Sequence, residues 1–231
     1  MTEAHSSGAS FSIKEAIGFG FKPGASAFAL LLVAHYVFLG VPQILCSFLP
    51  HMARMLPLML INSLFIGGLW VMSLKVVDGE QPSFADALSR IKDFWKYFLA
   101  NLIYTVAVCL SLLFLILPGF AVMTLLCFYT LSLTEGATLL GCFKESIDLV
   151  KGNFGGVLGF FVVLVSAMIG IGLVLFLVVG LPVVLAINAL HVPHEPTVPI
   201  FVALGLQPLS LVSQLALAHA YRQLTRMQEV G

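Results

Sequence analysis

Residues 101–130, NLIYTVAVCLSLLFLILPGFAVMTLLCFYT, form a long apolar stretch that contains no charged side chain. A helix rises about 1.5 Å per residue and needs about 20 apolar residues to cross the hydrocarbon core of a bilayer. The stretch is too long for one crossing, and Pro118 and Gly119 interrupt it with a turn signal. It therefore predicts a transmembrane hairpin with a tight turn at Pro118 and Gly119.

The composition of the whole chain agrees with a membrane protein. Of its 231 residues, 60% are apolar and only 10% are charged, whereas soluble domains have about 45–50% apolar and about 25% charged residues. The net charge is zero, so no overall field favours a nucleic-acid partner. The four cysteines have no paired spacing, which argues against a disulfide framework and against a zinc site. We expect no cofactor.

The length of a membrane crossing divides the apolar runs into six spans in an all-α polytopic bundle. Their predicted bounds are about 24–46, 55–76, 97–117, 119–135, 156–180 and 197–220. Between the last two, LPVVLAINAL (181–190) is broken by Pro182 and predicts an interfacial or re-entrant piece. This count places ten basic residues on one side and only Arg54 on the other, as cytoplasmic loops require. Both termini are therefore predicted to be cytoplasmic.

Three short segments share a pattern of apolar, any, acidic, small and aliphatic residues. They are IKEAI (13–17), FADAL (84–88) and FKESI (143–147). Each precedes a pair of spans, so the pattern predicts three repeats of an amphipathic interfacial helix plus a transmembrane hairpin. The predicted organisation is a disordered N-terminus (1–10), one membrane domain (11–225, with repeats at about 11–76, 83–135 and 138–225) and a C-terminal tail (226–231).

The charged faces of these helices allow two interpretations. They can serve as connectors, because Glu145 lies early and Lys151 late in the third copy, as the helix dipole prefers. Alternatively, Lys144, Lys151, Arg90 and Lys92 contact lipid headgroups. Because such helices lie in the headgroup region, membrane lipids are predicted partners of the chain, and other membrane proteins are possible partners.

Four motifs carry a resemblance to a known group of proteins. DGEQPSFADAL (78–88), LPGF (117–120), KESIDLVKGNF (144–154) and AYRQL (220–224) resemble motifs of bacterial six-span inner-membrane proteins of unassigned function. That group is related to the membrane domain of glycerophosphodiester phosphodiesterases. The resemblance implies a multi-pass protein of the bacterial inner membrane. It implies no catalytic residues, because the sequence contains no phosphodiesterase domain.

The middles of the six predicted spans contain no Asp, Glu, Lys or Arg. This argues against a proton-coupled pump and a buried di-metal site, and no catalytic motif is present, so we do not expect an enzyme. Two polar faces remain, and a polar path between them would be lined by Asn101, Tyr104, Gln207 and Gln214. The alternative is that these side chains only connect helices.

The loops predicted on the outer side contain possible metal ligands. They are His51, Met52, His191, His194 and Glu195. Their loose spacing favours ordinary polar loops over a metal site.

Two functions are consistent with these patterns. The first is a non-enzymatic scaffold or accessory factor that interacts with lipids or other membrane proteins. The alternative is a transporter of small solutes or lipids that has no charged residue within the membrane.

Overall fold

The computed structural model describes residues 11–114, 116–182, 184–185 and 194–230. The fold is all-helical, with 85% helix and no strand in the described part of the chain, as predicted. The predicted disorder of residues 1–10, the end of the tail and the path of residues 186–193 lie outside the described residues. The helices are α1 Ile13–Gly20, α2 Ala25–His35, α3 Val41–Ser47, α4 His51–Val77, α5 Phe84–Leu88, α6 Phe94–Phe114, α7 Ile116–Leu125, α8 Tyr129–Thr134, α9 Gly141–Lys151, α10 Phe154–Leu175 and α11 His194–Val230.

Within the residues that the structure describes, four helical segments are long and apolar enough to cross a membrane. They are Ala25–Ser47, in which a π-helical turn joins α2 to α3, Ala53–Val77, Phe84–Phe114 and Phe154–Gly180. These segments correspond to the predicted first, second, third and fifth spans. The predicted fourth span is a shorter apolar segment, Pro118–Thr134, and the predicted sixth lies within α11. A count of six spans therefore stays a prediction.

Pro118 and Gly119 do not form the predicted turn. Both lie in α7, which is described from Ile116, so Pro118 lies near the start of this helix. A proline is tolerated there because the first N–H groups of a helix have no partner inside the helix. Gly119 faces α6, since a Cβ atom on it would lie 2.3 Å from Leu112 Cδ2. The pair acts in helix entry and helix packing instead of forming the turn.

The predicted fourth span is interrupted between α7 and α8, and a serine from α9 occupies the break. The buried Ser146 hydroxyl donates to the Leu125 carbonyl at 2.8 Å and accepts from the Phe128 N–H at 3.1 Å. It therefore satisfies two backbone groups that a continuous helix would satisfy itself. This explains why an apolar run that reads as one span is divided.

The three predicted amphipathic segments are helical, as α1, α5 and α9. The second helix ends at Leu88, and a 3₁₀ turn, Ile91–Asp93, leads from it into α6. The small residue of the pattern is completely buried in each copy, as Ala16, Ala87 and Ser146. One face of each helix is therefore held against the bundle. The threefold repeat of whole hairpins remains a prediction.

Helices α4 and α8 end in the same way. Each is followed by an acidic residue and a glycine with positive φ: Asp78 with Gly79 at 79°, and Glu135 with Gly136 at 108°. The next N–H returns to a carbonyl five residues back, from Glu80 to Lys75 and from Ala137 to Ser132. These are Schellman-type ends, for which glycine is suited because it has no Cβ.

The end of the bundle that contains Asp78, Glu135 and Arg222 is called the basic end below. Helix α1 joins it, because the Ser12 N–H donates to Gln223. Helix α9 joins it through Gln228, which donates to the Asp148 carbonyl. The segments that carry the ten basic residues are thus gathered by direct contacts at one end of the molecule.

Candidate functional sites: a polar cavity and a basic end

A cavity of about 440 Å³ opens between α3, α4, α6 and α11. Its polar lining consists of uncharged side chains, which are Gln43, Asn62, Asn101, Gln207 and Ser210. Asn62 precedes the end of α4 at Val77 by 15 residues, about 22 Å of helix. The cavity therefore lies well inside the predicted span.

Two of the four predicted path residues line this cavity. Asn101 and Gln207 do, whereas the Tyr104 ring stacks on Tyr129 with centroids 4.9 Å apart. The fourth residue, Gln214, instead contacts His35, with Gln214 Oε1 and His35 Nε2 2.7 Å apart. Sequence reasoning missed Gln43, and it did not connect Asn62 to the path, although both are amides within apolar helices.

The amides of the cavity retain hydrogen-bonding capacity. Gln207 donates to Gln43 Oε1 at 3.4 Å, and Tyr129 donates to Asn101 Oδ1 at 3.4 Å, both long for hydrogen bonds. A carboxamide has two donors and an acceptor with two lone pairs. The cavity can therefore bind an uncharged polar group, such as a hydroxyl or an amide, without burying a charge.

The His35 and Gln214 pair connects α2 to α11. His35 is 1% exposed, and its Nδ1 lies 3.0 Å from the Leu31 carbonyl, which can only accept. Nδ1 therefore donates, and in an uncharged ring Nε2 must accept. The structure places Gln214 Oε1 at 2.7 Å from Nε2, and exchanging the O and N atoms of this amide, which are assigned from their partners, supplies the donor that an uncharged ring requires. This pair fits the packing interpretation.

The four predicted headgroup residues differ in their surroundings. Lys92 and Lys144 are exposed and form no ion pair within the described residues, and Lys151 is 66% exposed with Asp148 3.8 Å away. Arg90 instead donates from Nη2 to the Thr134 carbonyl, at the C-terminus of α8. It therefore completes a helix end, as basic side chains commonly do.

Large apolar side chains are exposed beside these lysines. Trp95 is 64% exposed and Leu88 46% exposed, both close in sequence to Lys92, and Leu140, just before α9, is 73% exposed. A surface that combines exposed aromatic, aliphatic and basic side chains is typical of a helix in the headgroup region of a membrane.

An ionic network closes the basic end. Arg222 binds Asp78 with two hydrogen bonds, Nε to Oδ1 at 2.9 Å and Nη2 to Oδ2 at 2.6 Å, and its Nη1 contacts Glu135. The Tyr221 hydroxyl donates to the other Glu135 oxygen at 2.6 Å. Burial, together with this bond to Glu135, raises the pKa of Tyr221. The network joins the ends of α4, α8 and α11.

Sequence reasoning did not identify this network, although two signals were present. Asp78 and Glu135 each precede a glycine after an apolar helix, and Arg222 lies in the AYRQL motif. Burial lowers the pKa of Arg222, but the bond to Asp78 and the charge of Glu135 outweigh it and raise that pKa. Arg222 therefore stays charged at neutral pH and can bind both carboxylates.

Metal ligation is not indicated by the geometry within the described side chains, since no three His, Cys, Asp or Glu residues there are grouped closely enough to hold an ion. The outer-loop alternative cannot be placed, because His191 and the side chains of His51, Met52, His194 and Glu195 lie outside the described part.

Comparison with known proteins adds no relative to this description. No protein family, curated protein or solved structure matches the chain. The resemblance to bacterial six-span inner-membrane proteins therefore stays a prediction from the four motifs, and the functional argument depends on the geometry of the cavity and of the basic end.

Proposed function

We propose that the chain is a multi-pass protein of the bacterial inner membrane that acts as a non-enzymatic scaffold or accessory factor, interacting with lipids or other membrane proteins. The observation that carries the proposal is the combination of exposed apolar and basic side chains on the amphipathic helices and on the segments that follow them, with these helices packed against the bundle. Trp95, Leu88 and Lys92 form the clearest example.

The packing of these helices supports a binding role. Because Ala16, Ala87 and Ser146 are buried, the outer faces of α1, α5 and α9 are held in fixed positions on the bundle. Apolar side chains held in this way can enter the acyl boundary while the neighbouring lysines meet anionic headgroups. Binding then requires little ordering of the protein itself.

The placement of basic residues supports the proposed orientation. Contacts between α1, α4, α8, α9 and α11 gather the basic segments at one end. Cytoplasmic loops of inner-membrane proteins retain Lys and Arg. The basic end is therefore proposed to be cytoplasmic, together with both termini.

Copurification tests this function. The wild-type protein, extracted in mild detergent, is expected to retain a stoichiometric lipid or protein partner, detected by mass spectrometry. A Leu88→Gln/Trp95→Gln variant should retain at least tenfold less, because burial of even one large apolar side chain is worth about 1.5–3 kcal/mol. Phe48→Gln is the matched control, since Phe48 is 66% exposed and lies at the end of α3 outside the amphipathic helices. Absence of any stoichiometric partner from the wild type would contradict the proposal.

The polar cavity favours a second candidate, which is transport of small uncharged solutes. Wild-type proteoliposomes would then pass glycerol faster than protein-free vesicles in a light-scattering assay. Asn101→Leu/Gln207→Leu should reduce this flux about tenfold or more, because the loss of paired polar contacts costs about 1–3 kcal/mol. Tyr104→Phe should leave it unchanged, since Tyr104 does not line the cavity. Flux equal to that of empty vesicles, or flux that survives the double substitution, excludes this route.

A further inference from the structure

A second cavity, of about 460 Å³, lies at the basic end between α1 and α11. Lys14, Lys22 and His219 contribute basic side chains to its lining, and Ser12, Glu15 and Phe19 contribute the rest of its functional groups. None of these residues belongs to the predicted headgroup set or to the polar cavity.

The charges of this pocket favour an anion. Lys14 and Lys22 are exposed and form no ion pair within the described residues. The carboxylate of Glu15 already accepts a hydrogen bond from Gln223 at 3.4 Å. Arg226 follows His219 by two turns on the same face of α11 and adds a further positive charge. Basic side chains that lack acidic partners are suited to a phosphate group.

A chain of hydrogen bonds gives His219 a free donor. The Ser12 N–H donates to Gln223 Oε1 at 3.1 Å, which fixes this amide so that its Nε2 faces His219 Nδ1 at 3.4 Å. Nε2 of glutamine can only donate, so Nδ1 accepts and the hydrogen of an uncharged ring is on Nε2. Phe19 stacks on the ring with centroids 4.6 Å apart and restricts its orientation.

An apolar groove is formed by the next residues of the chain, at the end of α1 and the start of α2, together with α11. It has a volume of about 200 Å³ and is lined by Gly20, Phe21, Pro23, Ala25, Phe28 and Val212. Val212 precedes His219 by seven residues, about 10 Å of helix. The groove begins where α2 enters the first candidate span at Ala25. A basic pocket is thus followed by an apolar groove in the direction of the membrane.

We infer that this pair of cavities is a binding site for one anionic phospholipid. The phosphate contacts Lys14, Lys22 and the Nε2 hydrogen of His219, and the first part of an acyl chain lies against Phe21, Phe28 and Val212. The inference rests on the lipid interaction in the proposed function and names its ligand class. A soluble phosphate ester shares the phosphate chemistry but would leave the groove empty.

Native mass spectrometry of the detergent-purified protein tests the site. Titration with phosphatidylglycerol should give one tightly bound molecule, whereas phosphatidylcholine should give only weak adducts. Lys14→Gln/Lys22→Gln should weaken phosphatidylglycerol binding about thirty-fold, about fivefold for each lysine. Lys144→Gln/Lys151→Gln is the matched control, with two exposed lysines on α9; it should lose only weak adducts from headgroup contacts on α9 and keep the wild-type affinity for the one tightly bound molecule. Both variants should melt as the wild type does, because these lysines are exposed.

Three other results of this titration would overturn the phospholipid site. Equal weakening by both double variants would show diffuse attraction to the basic end and would overturn this site while leaving the proposed function. Equal affinity for glycerol 3-phosphate and phosphatidylglycerol would exclude the groove and overturn the phospholipid assignment. Unchanged binding in Lys14→Gln/Lys22→Gln would overturn the site as well. In each case the Leu88→Gln/Trp95→Gln copurification result decides the proposed function independently.

Discussion

Replacing Arg222 with methionine is expected to destabilise the fold by about 1–2 kcal/mol, because one side chain holds the ends of three helices. Arg222 binds Asp78 in a bidentate manner and contacts Glu135 with its third nitrogen. The three side chains are only 22%, 30% and 34% exposed. Removal of the guanidinium therefore leaves two carboxylates without their shared counter-charge at an exposed end of the bundle. Such a network is worth more than an exposed ion pair, which contributes about 0–1 kcal/mol.

The loss can be measured as the fraction of protein that remains monodisperse after heating in detergent. Arg226→Met is the matched control, since Arg226 is exposed, lies one turn further along α11 and forms no ion pair within the described residues. It should shift the midpoint by a small fraction of the Arg222→Met shift. Asp78→Asn/Arg222→Met should lose less than the sum of the two single changes, because both act on one network. Additive losses, or equal midpoints for Arg222→Met and Arg226→Met, would show that the network does not hold the helix ends.

The helices were predictable because their signal is local. Long apolar runs decide where a helix can cross a membrane, so Ala25–Ser47 and Phe154–Gly180 lie close to the predicted bounds. The exact break points were less predictable. Pro118 and Gly119 are equally compatible with a turn and with the first turn of a helix. The division between α7 and α8 depends on Ser146, which is distant in sequence.

The residues that line the two sites are brought together by contacts between distant segments, which helical periodicity in the sequence does not predict. Helical spacing placed Asn101 and Tyr104 on one face of α6, but Tyr129 captures the ring of Tyr104 and leaves only Asn101 at the cavity. The partner of Arg222 lies 144 residues away, at Asp78. The contribution of α1 to the basic pocket requires the contact between Ser12 and Gln223. Faces can be predicted from one helix, whereas a cavity needs the relative positions of several.

The second large effect is expected at Gly68, where α5 lies directly on α4. A Cβ atom at this position would be 1.9 Å from the carbonyl oxygen of Ala87 and 2.3 Å from its carbonyl carbon. These are backbone atoms, so no rotamer change relieves the clash and α5 must move away from α4. That movement would also strain the Lys75 to Asp86 ion pair, whose atoms are 2.8 Å apart. We expect Gly68→Ala to destabilise the protein by about 3 kcal/mol, the upper part of the range for an overpacked core.

Gly170→Ala is the matched control for this substitution. Gly170 lies within α10, and no atom lies within 4 Å of the position that its Cβ would occupy. Alanine should leave stability unchanged there or raise it by up to about 1 kcal/mol, the difference in helix propensity. The two changes add the same methyl group, but only Gly68→Ala should lower the melting midpoint in detergent. Adding Ala87→Gly to Gly68→Ala should not restore stability, because the clash is with the backbone of residue 87. A full rescue by Ala87→Gly would show that side chains, and not backbones, separate α4 from α5.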